Sequence, residues 1–307
     1  MRPTAFSRPG RFYRGNLHTH STFSDGALDA AEVCRRYRAE GYDFIALTDH
    51  FIGMYDYPVT DTRAMRDEGF TTLLGAELHS GAMGNGELWH LLAVGLPLDF
   101  APSHTPSFQP VDGQESGPEL AARARQAGAF VAIAHPQWSG LTLDDARTIE
   151  AAHAVEIYNH GCARGCDRGD GMAIADLLLT EGRRLSLIAT DDAHFTEPDH
   201  FGGWVEVKAE ANTPELLLEA LKRGDFYATQ GPRFEDIVVE DEAVEVASSA
   251  VCTVIVQASG TAASAMHGHS MTRTRLPLAR FARRDWIRVT LIDAAGRRAW
   301  SNPIWRE

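Results

Sequence analysis

FYRGNLHTHSTFSDG, residues 12–26, starts as a short strand-forming run and ends in a turn at Asp25-Gly26. A helical pattern over Leu28–Glu40 follows and stops before Gly41, a usual C-terminal stop. The same grammar repeats along the first two-thirds of the chain. Strand-like runs continue with DFIALT (43–48), TTLLGAE (71–77), AFVAIAH (129–135), AVEIYN (154–159), LSLIATD (185–191) and GWVEVKA (203–209). They are rich in Val, Ile and Leu and bounded by Gly, Asp or Asn. Helical patterns cover Pro118–Gln126, Thr142–Ala152, Gly171–Glu181 and Pro214–Lys222, with Thr213 placed as an N-cap before a first-turn proline. Strand–helix alternation predicts a parallel α/β architecture. About seven such strands exceed a small flavodoxin-like sheet, so a barrel or a large doubly wound sheet fits. No G-x-G-x-x-G follows the first strand, which removes the usual marker of dinucleotide binding.

Residues 97–118 hold five of the 14 prolines and predict a long irregular loop. After about residue 229 the pattern changes. FEDIVVED, AVEVASS, CTVIVQAS, RTRLPLARF and WIRVTLIDAAGRRAW are strand runs separated by turns, with AAG (294–296) as a hairpin connection. The expected division is therefore a catalytic unit over 1–228 and a small all-β, sandwich-like unit over 229–307.

The composition is that of a globular protein: 307 residues, 44% hydrophobic, 23% charged. No stretch approaches the roughly 20 apolar residues of a membrane span. The opening MRPTAFSRPGRFYRG has no apolar core of the secretory kind, so a cytoplasmic location is expected. Net charge is 29 − 42 = −13, the wrong sign for neutralising a nucleic-acid polymer. Four cysteines are too few for a disulfide framework. Cys162 and Cys166 have no second close pair of the kind a zinc ribbon needs.

Chemistry-bearing residues gather where the strand runs end. His18 and His20 are two apart and share one face of an extended chain. Two imidazoles on one face form half a metal site. Asp25 lies in the following turn. The second strand run ends at Asp49-His50, the third at Glu77 and His79, and a later one at His135. The run LSLIA leads to Asp191, Asp192 and His194, while His90 stands in ELWHLLAVG. In a parallel barrel the C-terminal strand ends share one rim. Taken singly, most histidines are structural, and His79, His104, His153, His160, His200, His267 and His269 are read that way. Together, the strand-end groups would be costly to bury unless cations satisfied them. A multinuclear metal site is the expectation.

HTHSTFSDG, LTDH, GAE, the histidine of WHLL, AHP and TDDAH, in that order over residues 16–194, resemble the motifs of the PHP (polymerase and histidinol phosphatase) metallohydrolase superfamily. GNLHTHSTFSDG, FYATQGPR and AWSNPIW further resemble its carbaryl-hydrolase-like branch, which carries a C-terminal β-domain. The resemblance implies a distorted (β/α)7 barrel and two to three divalent ions, with Zn, Mn and Fe all suited to these ligands. It places His18, His20, Glu77 and Asp192 on the first ion. Glu77, His90 and His135 fall on the second, and Asp25, His50 and His194 on the third. Asp191 stands where the wider motif often has Ser, and is read as a strand-end hydrogen bonder. Asp49 is read as a partner for a histidine ring. The two lysines, Lys208 and Lys222, lie outside the middle of the strand series, so Glu77 is the better bridge than a carbamylated lysine.

Water bridging two such cations ionises near neutral pH and becomes a nucleophile. Hydrolysis of a small phosphorylated metabolite by a metal-bridging hydroxide is the first expected function. Arginine forks suit phosphate. The loop NHGCARGCDRGD (159–170) supplies Asn159, Arg164 and Arg168 as candidate substrate contacts, with Arg233 near the domain junction. His160 is the candidate proton donor beside Glu77 and Asp192. The second reading is carboxylic or carbamate ester hydrolysis at the same site, with Trp89, Trp138 and Phe195 as apolar wall. The third is a non-enzymatic, metal-stabilised binding protein. MHGH (266–269) is read as a loop. No membrane or nucleic-acid partner is expected, and the oligomeric state is left open.

Overall fold

A computed structural model describes residues 1–111, 113 and 115–306. Its elements in chain order are α1 (Thr4–Ser7), β1 (Arg11–Asn16), α2 (Ala30–Ala39), β2 (Phe44–Leu47), β3 (His50–Phe51), β4 (Thr71–Leu78), β5 (Leu91–Val94), α3 (Gly117–Gln126), β6 (Phe130–Ile133), α4 (Leu143–Thr148), β7 (Ala154–Asn159), α5 (His160–Cys166), α6 (Met172–Thr180), β8 (Ser186–Thr190), β9 (Trp204–Ala209), α7 (Pro214–Arg223) and β10 (Phe226–Thr229). Only strands and a short 3-10 turn follow among the described residues: β11 (Phe234–Val239), β12 (Ala243–Gln257), β13 (Ala263–Pro277), β14 (Trp286–Ile292), β15 (Arg298–Ser301) and β16 (Ile304–Trp305). The result is an α/β region followed by a β-rich one.

The helices start where local hydrogen bonding favours them. The Asp29 carboxylate accepts from Glu32 N–H at the head of α2. Ser116 and Thr142 build capping boxes with Glu119 and Asp145. Thr213 caps α7 before Pro214, and α7 ends at Gly224 with φ 74°, a left-handed C-cap conformation that glycine adopts without steric cost. α4 covers less than the expected 142–152, and residues 160–166, expected as loop, form α5. There the Asn159 side chain accepts from Cys162 N–H, a cap that the glycine- and arginine-rich composition conceals.

The strand order runs β9-β1-β2-β4-β5-β6-β7-β8 through the α/β region. β1, β2 and β4 are parallel, as are β6, β7 and β8. β5, which the sequence presents only as an apolar run, is antiparallel to both β4 and β6. β9, expected within the parallel series, runs antiparallel to β1. Beyond the ladders, the segments after β1 and β8 bond to each other: His20 N–H donates to Ala193 O at 2.9 Å and Asp192 N–H to His18 O at 2.9 Å.

β10 pairs with β15, so the β-rich region continues the same sheet. The connection at 294–296 joins β14 and β15 as an antiparallel hairpin. MHGH does not form a loop; it lies inside β13, where His267 pairs across to Thr253. The buried Arg288 guanidinium on β14 binds Asp176 of α6 at 2.8 Å, and Trp286 Nε1–H donates to Leu179 O. No helix among the described residues is long and apolar enough to cross a membrane.

At the N-terminal ends of β6 and β7, Val131 N–H donates to His153 Nδ1 at 3.0 Å. Burial, with Arg125 and Lys222 nearby, pushes this imidazole down to about 4 from its ordinary 6.5. The unfolded chain therefore binds this proton more readily. The neutral ring's contribution is complete above about pH 6.5 and is lost as pH falls toward 4. His153→Gln is expected to flatten the fall in Tm across that window. An unchanged slope in a pH series of thermal melts would contradict this.

Candidate metal centre

The centre sits at the C-terminal ends of the parallel strands and at the N-terminal end of the antiparallel β5. His18 and His20 follow β1 and are fully buried, with the Thr19 hydroxyl between them donating to Ala193 O. The turn carrying Asp25 is held by Asp49, whose carboxylate accepts from Ser21 N–H at 2.7 Å and from the hydroxyls of Ser21, Ser24 and Thr60. Asp49 thus binds hydroxyls rather than the expected histidine ring. His50 of β3 stands in register with Glu77 of β4. His90 precedes β5, His135 follows β6, and Asp192 and His194 follow β8. Asp192, just past β8, adopts φ 56° and so leaves the strand's extended conformation.

Glu77 is the hub. Its Oε1 lies 2.8 Å from His90 Nδ1 and 3.0 Å from His135 Nε2. Its Oε2 lies 2.7 Å from His50 Nδ1, 3.5 Å from His18 Nε2 and 3.7 Å from His20 Nε2. Asp192 Oδ1 is 3.0 Å from His20 Nε2 and 3.1 Å from His18 Nε2. Asp25 reaches His50 and His194 at 3.4 Å each. Donor atoms converge to within 4.8 Å in four sets: His20, Asp25, His50 and His194; His18, Glu77 and His135; His18, His20 and Asp192; and His50, Glu77 and His79.

Two atoms test whether cations fit. His18 Nε2 and Glu77 Oε2 are buried and have no hydrogen-bond partner, although each has polar neighbours within 4 Å. Those neighbours are close but out of line. The two atoms lie 3.5 Å apart, within clusters of donor atoms that a cation could satisfy together.

The electrostatics agree. Burial works against the charge on Glu77, but His50, His79 and His90 hold its carboxyl well below the usual range. Asp192 is likewise held low against burial, by His18 first. Burial also opposes charge on His50 and His194, yet Glu77 and Asp25 draw them up to about 10 and about 9. His20 moves the other way, to about 4, through burial and the charges on His194 and His50. The carboxylates demand positive charge, while the crowded imidazoles resist protonating together. Divalent ions would resolve the conflict by supplying positive charge to neutral rings.

Several participants escaped the sequence reading. Glu156 on β7 is fully buried: Oε1 faces His18 Nδ1 at 3.1 Å, and Oε2 accepts from His135 N–H at 2.6 Å and Asn159 Nδ2 at 3.0 Å. The only sequence signal was an acidic residue inside an apolar strand run. His79, read as structural, places Nε2 at 2.9 Å from His50 Nδ1 and Nδ1 at 3.1 Å from Trp89 O. Phe108 comes from the proline-rich loop and sets its ring edge-on to His50, with centroids 4.9 Å apart. Asp191 is the expected strand-end hydrogen bonder, accepting from the Tyr37 hydroxyl and the N–H groups of Phe201, Gly202 and Gly203.

A cavity of 690 Å³ opens over the centre, lined by Asp25, His50, Glu77, His90, His135, Asp192 and His194, with Trp138, Phe108 and Arg168 around them. Of the expected substrate contacts, only Arg168 reaches it. Asn159 is fully buried, its amide donating to Glu156 and Asp192. Arg164 and Arg233 are exposed outside the lining. His160 is also outside it, with Nδ1 at 2.8 Å from the Tyr158 hydroxyl. Trp138 packs on His90 and His135, whereas Trp89 is buried beneath Gly117 and Phe195 packs on Tyr37. Lys208 lies over the Phe12 ring and Lys222 on α7, so neither is part of the centre.

Residues 16–100 match the family model described as the PHP domain. No curated protein matches the chain. Among solved structures, a two-domain protein from Bacteroides vulgatus, described as containing a predicted PHP-like metal-dependent phosphoesterase, aligns over 94% of each chain at 17% identity with a TM-score of 0.54. A candidate metal-dependent phosphoesterase from Bifidobacterium adolescentis aligns over 68% of this chain and 96% of its own, at 18% identity and TM-score 0.47. An amidohydrolase from Chromobacterium violaceum, with bound sulfate and no metal, aligns over 60% and 89% respectively, at 18% identity and TM-score 0.43. The first of these supports a shared two-part fold: a PHP-like α/β region followed by a β-rich region.

Proposed function

We propose that this chain is a metal-dependent phosphoesterase acting on a small phosphorylated molecule. Glu77 carries the reading: a single buried carboxylate whose two oxygens face different sets of imidazoles. The proposed ligand sets are His18, His20, Glu77 and Asp192; Glu77, His90 and His135; and Asp25, His50 and His194. Two to three ions of Zn, Mn or Fe would activate water and polarise phosphoryl oxygens there. The proposed fold is a distorted (β/α)7 barrel over 1–228 with a β-domain over 229–307. The backbone bonds between the ends of β1 and β8 support closure of the ring, and β5 supplies the distortion.

The chain's own residues divide the remaining work. Arg168 offers a guanidinium fork to the phosphate at the cavity wall. Trp138 and Phe108 add aromatic faces to the cavity wall. Glu156 holds His18 through Nδ1 and so points its Nε2 inward. The bond attacked distinguishes the second reading, carboxylic or carbamate ester hydrolysis, which the apolar faces of Trp138 and Phe108 favour.

The test compares p-nitrophenyl phosphate with p-nitrophenyl acetate on metal-loaded protein. Phosphate preference is expected, abolished by chelation and restored by added metal. Arg168→Ala should raise KM for the phosphate about tenfold, the effect of losing one charge-assisted hydrogen bond. Its KM for the acetate should stay unchanged. Preference for the acetate would move the function to the carbon ester with the same ligands.

A further inference from the structure

The opposite end of the strands holds a second charged feature. A cleft of 290 Å³ is lined by Arg125, Arg183, Arg184, Lys222, Arg223 and His153, against one acid, Glu150. These residues precede β6, β7 and β8 or end α3 and α7, whereas the metal centre lies at the C-terminal ends of the parallel strands. In a chain with 42 acids and 29 bases, this concentration of positive charge runs against the overall balance.

Helix capping accounts for part of it. Arg125 donates to Ala151 O, and Arg183 to Arg147 O and Ile149 O. Arg223 is neutralised by Asp225 at 2.7 Å and Glu219 at 3.5 Å. Among the described residues, the other four cations have no carboxylate within ion-pair distance, and Lys222 and Arg184 have no hydrogen bond either. Arg184 instead lies against the Trp305 ring. Because Val131 N–H occupies His153 Nδ1, the neutral ring carries its proton on Nε2 and adds a fixed donor. The Lys222 ammonium and the Arg184 guanidinium are thus left without an acceptor among the described residues, and the other guanidiniums of the cleft add positive charge around them. Tetrahedral oxyanions supply acceptors on every side.

We propose that this cleft binds a small phosphate-type oxyanion at a site separate from the metal centre. The inference does not depend on which ester the metal centre hydrolyses.

Lysine content makes the test specific, because the chain has only Lys208 and Lys222. Metal-loaded protein is treated with limiting N-hydroxysuccinimide acetate in sodium phosphate or in sodium chloride of equal ionic strength. Acetylation of each lysine is followed by peptide mass spectrometry. With phosphate at about ten times its Kd, Lys222 should react ~tenfold more slowly, since bound ligand shields that fraction of the sites. Lys208 should be unaffected. A phenylphosphonate arm separates the sources: protection by it means the phosphate end of an organic molecule enters, and protection by inorganic phosphate alone means the free anion is the ligand. The double variant Arg125→Gln/Arg184→Gln, both exposed positions, should lose the protection. Equal rates for Lys222 in both salts, or protection that survives the double variant, overturns the proposal.

Discussion

Glu77→Ala is expected to lower turnover by about a thousandfold or more and to leave purified protein with less bound metal. Among the described residues, the side chain removed is the only one whose two oxygens reach both imidazole sets, with His90 and His135 on one side and His50 on the other. Metal-derived stabilisation of a hydrolytic transition state amounts to several kcal/mol, and each 1.36 kcal/mol is a factor of ten in rate. The variant also leaves three imidazoles without the charge that orients them. Elemental analysis and p-nitrophenyl phosphate turnover check the two parts separately. Full activity at normal metal content would remove Glu77 from the centre and with it the assignment of the ligand sets.

Glu156→Gln should have the next largest effect, although this residue lies behind the ligands. Its carboxylate is used on both oxygens: His18 Nδ1 and the Thr190 hydroxyl on one, His135 N–H and Asn159 Nδ2 on the other. An amide can accept on one side only. Accepting still from His135 N–H and Asn159 Nδ2, the amide turns its N–H toward Thr190 Oγ1 and His18 Nδ1; His18 must then either face that N–H with its own or carry its proton on Nε2, the nitrogen turned to the centre, at a cost of about 1–3 kcal/mol in a fully buried place. Metal affinity should fall roughly 10- to 100-fold, the usual result of losing a buried partner of a ligating histidine. Chelator competition measures the affinity, and Tm of the metal-free protein measures the packing cost. Reduced Tm with wild-type metal affinity would make Glu156 a structural residue without influence on His18.

The two variants illustrate how unevenly the centre is written in the chain. Glu77 ends a strand run in a recognisable GAE, and its neighbours His18, His20, His50, His135, Asp192 and His194 also stand at strand ends, where side chains from distant segments meet. Glu156 has no such mark. Its carboxylate matters because β7 lies beside β8 and β6, which brings Thr190 and His135 to it across 34 and 21 residues of sequence. Phe108 is similar. It belongs to a loop that the sequence marks only by its prolines, and it becomes part of the cavity through tertiary contact, with its ring set edge-on to His50.

Local physics fixed what was readable. Alternation of apolar runs and helical patterns set most of the strands and helices, because periodicity and capping act within a few residues. Strand-end histidines and acids set the metal chemistry, because their protonation and ligand properties belong to the side chains themselves. Strand direction and side-chain occupancy were decided elsewhere. The helix at 160–166 starts from the local Asn159 cap, but the antiparallel course of β5 and β9 and the strand through MHGH depend on which partner is adjacent. So does the cavity's choice of Arg168 over Arg164, Arg233 and His160. The three arginines carry the same chemistry in the sequence, and nothing local marks His160 as lying outside the site. Only the tertiary structure, by bringing Arg168 to the cavity and leaving the others outside its lining, determines which of them faces the metal centre.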